Sequence, residues 1–293
     1  MANQGKKMTK ILYAQPVRDK IIVDLKNRIK ALKQKNITPW LKVVLVGDDP
    51  SSHIYTRNKK KFIEKIGGKC DIIEVESSIK ELKFKQLIES LSLEKDLHGL
   101  LIQLPLPKHL SHIDVGNLID SKLDVDGLNS TNIGELVKNK ESGEYFCPCT
   151  PKGILTLLQY YDIPVSGKNV CILGRSLIVG KPLANLLTNY NATVTTCHSK
   201  TENIEEYTKN ADLIITAIGR PRFLTKRFIN KSGNQILIDV GINKTSDGKL
   251  CGDIDFEEIQ KSVAGITPVP GGVGPMTILS LAQNLLQAAE KSL

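Results

Sequence analysis

Apolar and polar positions along the chain follow a helical period in some stretches and form short, continuous apolar runs in others. Apolar residues recur at helical spacing over residues 17–32, which predicts a first long helix. Residues 41–46 are almost continuously apolar and predict a buried strand. The capping and turn residues Asp49 and Pro50 then predict a helix that runs to about Ile66. Similar patterns predict strands at 70–75 and 99–104 and a helix at 82–93.

A second series of the same kind begins near Pro148. A helix is predicted at residues 151–161, and a last helix at about 275–290 has Pro275 at its first helical position. Apolar runs between these helices predict strands at 169–173, 192–197, 212–218 and 235–240. Strand–helix–strand repetition with short connections implies parallel sheets covered on both faces. The predicted fold class is therefore α/β, with two lobes that meet near residue 150 and a cleft between them as the expected ligand site.

The composition excludes several classes of protein. Hydrophobic residues make up 41% and charged residues 24% of the 293 residues, as in ordinary globular domains. No apolar run approaches the roughly 18 residues that span a bilayer, and the polar residues 1–10 do not resemble a signal peptide. We therefore expect a cytoplasmic protein without a membrane partner. The six cysteines are scattered without C-x-x-C spacing, so we expect reduced thiols and no metal site.

The formal net charge of +9 allows two interpretations. A basic excess is typical of nucleic-acid-binding proteins, but it also suits a surface that attracts small anionic molecules. The lysines are spread along the chain, with the densest run at residues 59–61, and only 5% of residues are aromatic. This distribution favours the second interpretation, and no nucleic-acid partner is expected.

Residues 169–187 contain the clearest local motif, a predicted strand that runs into Gly174 and a helix that starts near Gly180. Backbone N–H groups at such a turn bind dinucleotide phosphates. The spacing of the glycines differs from G-x-G-x-x-G, so spacing alone leaves a plain strand-to-helix turn equally open.

The end of the next predicted strand indicates which dinucleotide would bind. NAD-binding folds commonly carry an acidic residue there, whereas this chain has His198, Ser199 and Lys200. A carboxylate would repel the 2′-phosphate of NADP, whereas Arg175, Ser199 and Lys200 would bind it through charge-assisted hydrogen bonds. The sequence therefore favours NADP over NAD.

The first lobe carries three polar features, each with an ordinary structural explanation as well. Tyr55 and Lys59 share one face of a predicted helix, which by itself is more typical of a tyrosine ring packed beside a lysine stem. Gln103 interrupts an apolar strand end, where a buried amide needs hydrogen-bond partners. Asp124 and Asp126 lie in a turn, which is compatible with a surface Asx turn or with ligand binding.

Taken together, these segments resemble the methylenetetrahydrofolate dehydrogenase/methenyltetrahydrofolate cyclohydrolase family from about Tyr13 to Ala289. The matching segments occur in the order of the family: VGDDPSSHIYTRNK (46–59), GLLIQLPLP (99–107), LDVDGLNSTNIGEL (123–136), PCTPKGIL (148–155), GRSLIVGKP (174–182), TTCHSKT (195–201), ADLIITAIGRP (211–221), IDVGIN (238–243), GDIDF (252–256) and TPVPGGVGPMT (267–277).

The resemblance implies an enzyme that oxidises 5,10-methylenetetrahydrofolate with NADP to the 5,10-methenyl form and hydrolyses that product to 10-formyltetrahydrofolate. It implies an N-terminal catalytic, folate-binding domain (1–149), onto which the C-terminal helix (about 275–293) packs, and a Rossmann-type NADP-binding domain (150–274). It also implies tetrahydrofolate derivatives, possibly polyglutamylated, as substrates and a homodimer formed through the Rossmann-type lobe.

The resemblance further assigns residues to roles, without a metal site. The catalytic positions of the family are matched by Lys59, Tyr55, Gln103 and Asp126. The substrate-binding positions are matched by Tyr55, Gln103, Asp126, Cys149, Gly271, Gly272 and Pro275. The NADP-contacting positions are matched by Gly174, Arg175, Ser176, Ser199 and Ile242.

The chemistry of these residue types agrees with that assignment. A lysine whose pKa is lowered by partial burial can transfer protons during hydrolysis, so we assign the acid/base role to Lys59. Gln103 would orient the Lys59 ammonium group, and Tyr55 would pack against the folate. Asp126, which only accepts hydrogen bonds when ionised, would bind the amino-pyrimidine donors of the pterin.

Other functions remain open at this point. Within enzymes, they are a family member that has lost hydrolysis and a different two-lobe NADP dehydrogenase of the shikimate type. From other classes, they are a nucleotide-binding regulator without turnover and a basic nucleic-acid-binding module, which steep salt dependence of DNA affinity would support.

Overall fold

The computed structural model of the protein describes residues 8–139, 145–245 and 247–293. The expectation that no signal peptide is present concerns residues 1–10, of which residues 1–7 lie outside the described residues. The helices are α1 Ala14–Gln34, α2 Pro50–Ile66, α3 Glu81–Ser92, α4 Ser130–Val137, α5 Cys149–Tyr160, α6 Gly180–Asn189, α7 Ile204–Lys209, α8 Phe256–Ile259 and α9 Val273–Glu290. The strands are β1 Lys10–Ile11, β2 Trp40–Val46, β3 Lys69–Val75, β4 Gly99–Ile102, β5 Asn169–Leu173, β6 Thr193–Cys197, β7 Leu213–Thr216, β8 Ile236–Asp239, β9 Asn243–Lys244, β10 Leu250–Cys251 and β11 Gly265–Ile266.

The chain divides into two compact units, which we name by their sheets. The three-stranded unit comprises Arg18–Cys149 and Ile278–Leu293, and the six-stranded unit comprises residues 8–17 and Thr150–Thr277. The predicted domains, 1–149 with the C-terminal helix (about 275–293) and 150–274, differ from this division at residues 275–277 and, over a longer stretch, at residues 8–17. The longer difference arises because β1 pairs with β11, so the start of the chain extends the six-stranded sheet.

The three-stranded unit is a parallel sheet in the order β3–β2–β4. Its central strand β2 is buried along nearly all its length, as its continuous apolar run predicts. Helix α2 starts where the sequence predicts, because the Asp49 carboxylate accepts a hydrogen bond from the Ser52 amide at 2.8 Å and Pro50 opens the first turn. It ends at Gly67, whose φ of +102° favours glycine. The buried face of α2 carries Lys59.

The six-stranded unit is a parallel sheet in the order β1–β11–β8–β7–β5–β6. Its register pairs Leu173 with both Cys197 and Thr216, and Thr216 in turn with Asp239. The carboxyl ends of β5, β6, β7 and β8 therefore lie along one edge of the sheet, which is the edge where ligands bind in open α/β sheets. This geometry brings the segments that follow Leu173 and Cys197 side by side.

The predicted α/β class with a parallel sheet is confirmed, and three local predictions are corrected. The two-residue strands β1 and β11 are not predicted, since two residues carry no periodicity. Helix α9 begins at Val273, so Pro275 is its third residue rather than its first; the first turn still tolerates proline, because its N–H groups lack intrahelical acceptors. Strand β4 ends at Ile102, so Gln103 follows the strand. No helix among the described residues is long and apolar enough to cross a membrane.

Candidate active site and cofactor pocket

Lys59 is a buried lysine held by a glutamine. Its side chain is 6% exposed, and its Nζ donates a hydrogen bond to Oε1 of Gln103 at 2.9 Å. Gln103 is fixed in turn, because its Nε2 donates to the Leu104 carbonyl at 2.7 Å and its backbone amide donates to the Val44 carbonyl at 2.8 Å. Lys59 Nζ also lies 5.5 Å from the ring centroid of Tyr55. The predicted trio of Tyr55, Lys59 and Gln103 is therefore assembled around one amine.

The electrostatic environment of this amine is set by burial and by nearby acidic side chains. Burial lowers the pKa of Lys59, and Asp126, Cys149 and Cys70 oppose that shift. Burial raises the pKa of Tyr55 to about 12, and Asp126 and Cys149 add to the shift. Tyr55 therefore stays protonated at neutral pH, whereas Lys59 is displaced toward the neutral amine that proton transfer requires.

The two aspartates of the turn have different environments. Asp124 is 2% exposed and accepts hydrogen bonds from the Gly127 amide at 3.1 Å, the Asn129 amide at 2.6 Å and Asn132 Nδ2 at 2.9 Å. Burial outweighs these donors and raises the pKa of Asp124 to about 6. Asp126 is only half-buried. The Asp124 carboxylate thus stabilises the turn through these hydrogen bonds. Asp126 stays the candidate for the ligand-binding role that the family resemblance assigns to it.

Asn284 of helix α9 ties together the two segments that carry Asp126 and Cys149. Its Nδ2 donates to the carbonyls of Val125 and Cys147, both at 2.9 Å. The Cys149 thiol donates to the Val125 carbonyl at 3.3 Å, and the Cys149 amide donates to the Asp126 carbonyl at 3.1 Å. Sequence reasoning missed Asn284, although a polar residue within the apolar stripe of a long helix is a signal that could have found it.

In the six-stranded unit, the predicted phosphate-binding turn depends on two glycines. Gly174 has a φ of +121°, and a Cβ there would lie 2.3 Å from the Ala217 carbonyl oxygen. A Cβ on Gly180 would lie 2.2 Å from the Gly174 carbonyl oxygen. Ser176 closes the turn, because its Oγ accepts a hydrogen bond from the Val179 amide at 3.1 Å. The end of β5 and the start of α6 therefore approach too closely for any other residue type.

A cavity of about 280 Å³ lies beside this turn. Its lining consists of Leu173, Gly174, Arg175, Cys197, His198, Ser199, Ile204, Ala217, Ile218, Arg220 and Phe223. The described lining residues include two arginines and no carboxylate, and Arg175 and Ser199 are exposed. This donor set fits a 2′-phosphate, whereas apolar walls such as Ile204 fit a flat ring. Sequence reasoning missed Arg220, although its place just after β7 at the ligand-binding edge is a usable signal.

The remaining predicted residues of this unit lie elsewhere in it. Ile242 is 52% exposed on the segment between β8 and β9, outside the cavity lining. Gly271 has a φ of +105°, and its carbonyl accepts a hydrogen bond from the Ala14 amide at 2.9 Å. A Cβ on Gly272 would lie 2.6 Å from the Pro268 carbonyl oxygen. The Gly271–Gly272 turn thus leads directly into α9.

Comparison with known families identifies both halves of the chain. The catalytic domain of tetrahydrofolate dehydrogenase/cyclohydrolase matches residues 12–126, and the NAD(P)-binding domain of the same family matches residues 148–293. The chain belongs to this family. It is 45% identical to the Bifunctional protein FolD of Bacillus subtilis over 269 residues, which covers 92% of this chain and 93% of the relative.

Solved structures of the family share the fold. The bifunctional FolD methylenetetrahydrofolate dehydrogenase/cyclohydrolase from Campylobacter jejuni has a TM-score of 0.91 at 42% identity, covering 97% of this chain and 100% of that chain. The Trypanosoma brucei family member, complexed with NADP cofactor and inhibitor, has a TM-score of 0.90 at 30% identity, covering 97% and 98%. A shikimate 5-dehydrogenase from Thermus thermophilus has a TM-score of 0.51 at 14% identity, which is a likeness of fold alone. The shikimate-type alternative is therefore not supported.

Proposed function

We propose that this protein is a bifunctional enzyme that oxidises 5,10-methylenetetrahydrofolate with NADP and hydrolyses the resulting 5,10-methenyltetrahydrofolate to 10-formyltetrahydrofolate. The observation that carries this proposal is the buried Lys59 amine in a chain of the tetrahydrofolate dehydrogenase/cyclohydrolase family. This amine donates a hydrogen bond to Gln103 and lies close to the ring of Tyr55. The glycine turn supports a dinucleotide, and the arginine-lined cavity beside it supports the choice of NADP.

The six-stranded unit would hold the dinucleotide. NADP, when bound, supplies the acceptor for the hydride that leaves the one-carbon bridge. Arg175 and Ser199 would bind its 2′-phosphate, and the turn from Gly174 through Ser176 would offer backbone N–H groups near the start of α6 to its diphosphate. Ile242 adds an exposed apolar contact.

The three-stranded unit would hold the pterin. Asp126 accepts hydrogen bonds from the amino-pyrimidine donors, and Tyr55 packs its ring against the folate. Cys149 lies beside Asp126 through their backbone hydrogen bond. Gly271, Gly272 and Pro275 are the further substrate-binding residues that the family resemblance assigns. Loss of hydride leaves a cation, so the oxidation needs correct positioning of the substrate more than it needs a strong base.

Hydrolysis depends on Lys59. In its neutral form the amine accepts a proton from water as the water oxygen bonds to the bridge carbon. The resulting ammonium then gives a proton to the ring nitrogen as the bond between that nitrogen and the bridge carbon breaks, and the hydroxyl proton on the bridge carbon is released to water, which yields the formyl product. Gln103 keeps Nζ in one place through both transfers because its amide is anchored at both ends.

A coupled assay with 5,10-methylenetetrahydrofolate tests both activities, with NADP and NAD compared at equal concentration. We expect NADPH formation with little accumulation of the methenyl compound, and much slower reduction of NAD. Accumulation of methenyltetrahydrofolate would leave only a monofunctional dehydrogenase. Absence of reduction in a folded chain that binds NADP would instead support a nucleotide-binding regulator.

Lys59→Met tests the assigned acid/base residue. We expect hydrolysis of methenyltetrahydrofolate to fall by about 10²- to 10⁴-fold, the usual contribution of a positioned acid/base group, while NADP binding is unchanged. Lys60→Met is the matched control, because Lys60 is the next residue, has a 40% exposed side chain and pairs with Glu64. Normal hydrolysis by Lys59→Met would refute the role of this residue.

We further propose a cytoplasmic homodimer that accepts polyglutamylated folates. The six free thiols agree with a reducing compartment. The net charge of +9 complements glutamate tails and phosphates. Strand β6, at one edge of the six-stranded sheet, has alternately exposed residues and could pair with a second copy. Light scattering on the purified protein measures the oligomeric state, and a monomer would reject the dimer.

A further inference from the structure

Asp253 is a fully buried carboxylate between β10 and α8 with hydrogen-bond donors on both of its oxygens. Oδ2 accepts from the amides of Ile218 at 2.7 Å and Gly219 at 3.1 Å. Oδ1 accepts from the Arg220 amide at 2.8 Å and from Asn243 Nδ2 at 2.9 Å. Four donors to one carboxylate compensate the cost of removing its charge from water.

Three of these donors are consecutive amides in the loop that follows β7. Gly219 has a φ of +64°, and successive N–H groups that converge through such a residue form a concave anion-binding nest. In this protein the Asp253 carboxylate occupies the nest. The same loop supplies Ile218 and Arg220 to the lining of the cofactor cavity, so Asp253 fixes the backbone that carries two of the cavity walls.

The fourth donor connects Asp253 to the segment after β8. Asn243 follows Ile242, the predicted cofactor contact, and a Cβ on Gly241 would lie 2.3 Å from Asp253 Oδ1. Asp253 is itself held in place, because its amide donates to Asp239 Oδ1 at 2.9 Å. The carboxylate therefore joins two loops at the ligand-binding edge of the sheet and touches neither the cavity nor the solvent.

We propose that Asp253 is a positioning residue for NADP, which acts through the 218–220 loop and through Asn243. The inference rests on the proposed function, and it assigns part of the affinity for the dinucleotide to a carboxylate that cannot contact it. Removal of this carboxylate leaves the 218–220 amides without their shared acceptor, so the loop must rearrange to satisfy them. Folate binding by residues of the three-stranded unit does not depend on this loop.

Asp253→Asn tests the proposal, because asparagine has the same shape but only one acceptor oxygen. We expect the Kd for NADP, measured by calorimetry, and the KM for NADP to rise at least tenfold. The KM for 5,10-methylenetetrahydrofolate and the rate of methenyltetrahydrofolate hydrolysis without NADP should stay within about twofold of wild type. Asp212→Asn is the matched control, since Asp212 accepts a hydrogen bond from the Asn169 amide at 2.9 Å at the opposite end of the strands. Its NADP affinity should equal that of wild type.

Unchanged NADP affinity in Asp253→Asn would overturn the proposal, and so would a parallel loss of NADP binding and hydrolysis, which indicates general destabilisation. If that variant does not fold, Asn243→Ala decides, because it removes one donor and leaves the carboxylate with its three amides. A Kd for NADP raised about threefold supports the proposal, and an unchanged Kd overturns it. Failure of the wild-type protein to bind NADP would reject the proposed function itself, before any variant is compared.

Discussion

Gln103 offers a sharp test of how the protein controls its buried amine. Its Oε1 is the hydrogen-bond acceptor for Lys59 Nζ, and its Nε2 is anchored on the Leu104 carbonyl. Two substitutions change this contact in opposite ways. Gln103→Leu removes the acceptor that stabilises the ammonium form, whereas Gln103→Glu places a carboxylate against it.

The size of each effect follows from the contact. A hydrogen bond to a charged group contributes about 1.5–3 kcal/mol, and one pKa unit corresponds to about 1.4 kcal/mol. Gln103→Leu should therefore lower the pKa of Lys59 further, by about 1 to 2 units. Gln103→Glu should raise it, by about 1 to 3 units, because an opposite charge at this distance favours the ammonium form. Below the pKa of the lysine, each unit of increase reduces the neutral amine about tenfold.

The assay is the rate of methenyltetrahydrofolate hydrolysis as a function of pH, with the uncatalysed rate subtracted. We expect the inflection of the profile to move to lower pH in Gln103→Leu. In Gln103→Glu it should move to higher pH, with a loss of about tenfold or more at neutral pH that is recovered as the pH rises. Gln260, which donates to Glu257 on the surface, provides matched Leu and Glu controls without a shift. Inflections that move in the same direction, or do not move, would refute the reasoning.

Two further predictions concern groups that support the sites. Asn284→Leu should raise the KM for 5,10-methylenetetrahydrofolate about tenfold, because the hydrogen bonds to Val125, which precedes Asp126, and to Cys147, which lies near Cys149, are lost; steady-state kinetics with an unchanged KM would contradict this. Burial raises the pKa of Asp239 to about 7, so the folded chain keeps a proton that the unfolded chain releases near pH 4. The stability contributed by that proton is lost as the pH rises through this range. Calorimetry should show the Tm of wild type falling relative to that of Asp239→Asn between about pH 4 and about pH 7, and a constant difference would contradict the assignment.

The parts of the fold that were predictable are those with a long repeating signal. The apolar run of β2 and the capped start of α2 at Asp49 are read directly from residue types. The pairing of Lys10 with Gly265 could not be predicted from the sequence. It depends on the sheet edge that β11 provides once it is paired with β8. Tertiary pairing, rather than local preference, determines such two-residue strands.

The site shows the same division between local and long-range information. Helical spacing placed Tyr55 and Lys59 on one face, and the family resemblance assigned Gln103 to the Lys59 ammonium group. The structure adds the hydrogen bond between Gln103 and Lys59. Sequence alone named both Asp124 and Asp126 without showing how their environments differ. The difference is burial, which depends on donors such as Asn132 that belong to a separate helix. Arg220 was missed because its role depends on which loop lines the cavity.

The glycine turn has a consequence for how cofactor use can evolve or be engineered. The close approach of Gly174 to Ala217 and of Gly180 to Gly174 involves the main chain, so it places no side chain that could distinguish NADP from NAD. Arg175 and Ser199 are exposed side chains at the cavity, free of packing constraints of that kind. The main-chain atoms that form the turn and the side chains that set the preference between dinucleotides are thus different atoms. Exchange of the two surface side chains can retune the preference while the inherited scaffold stays intact.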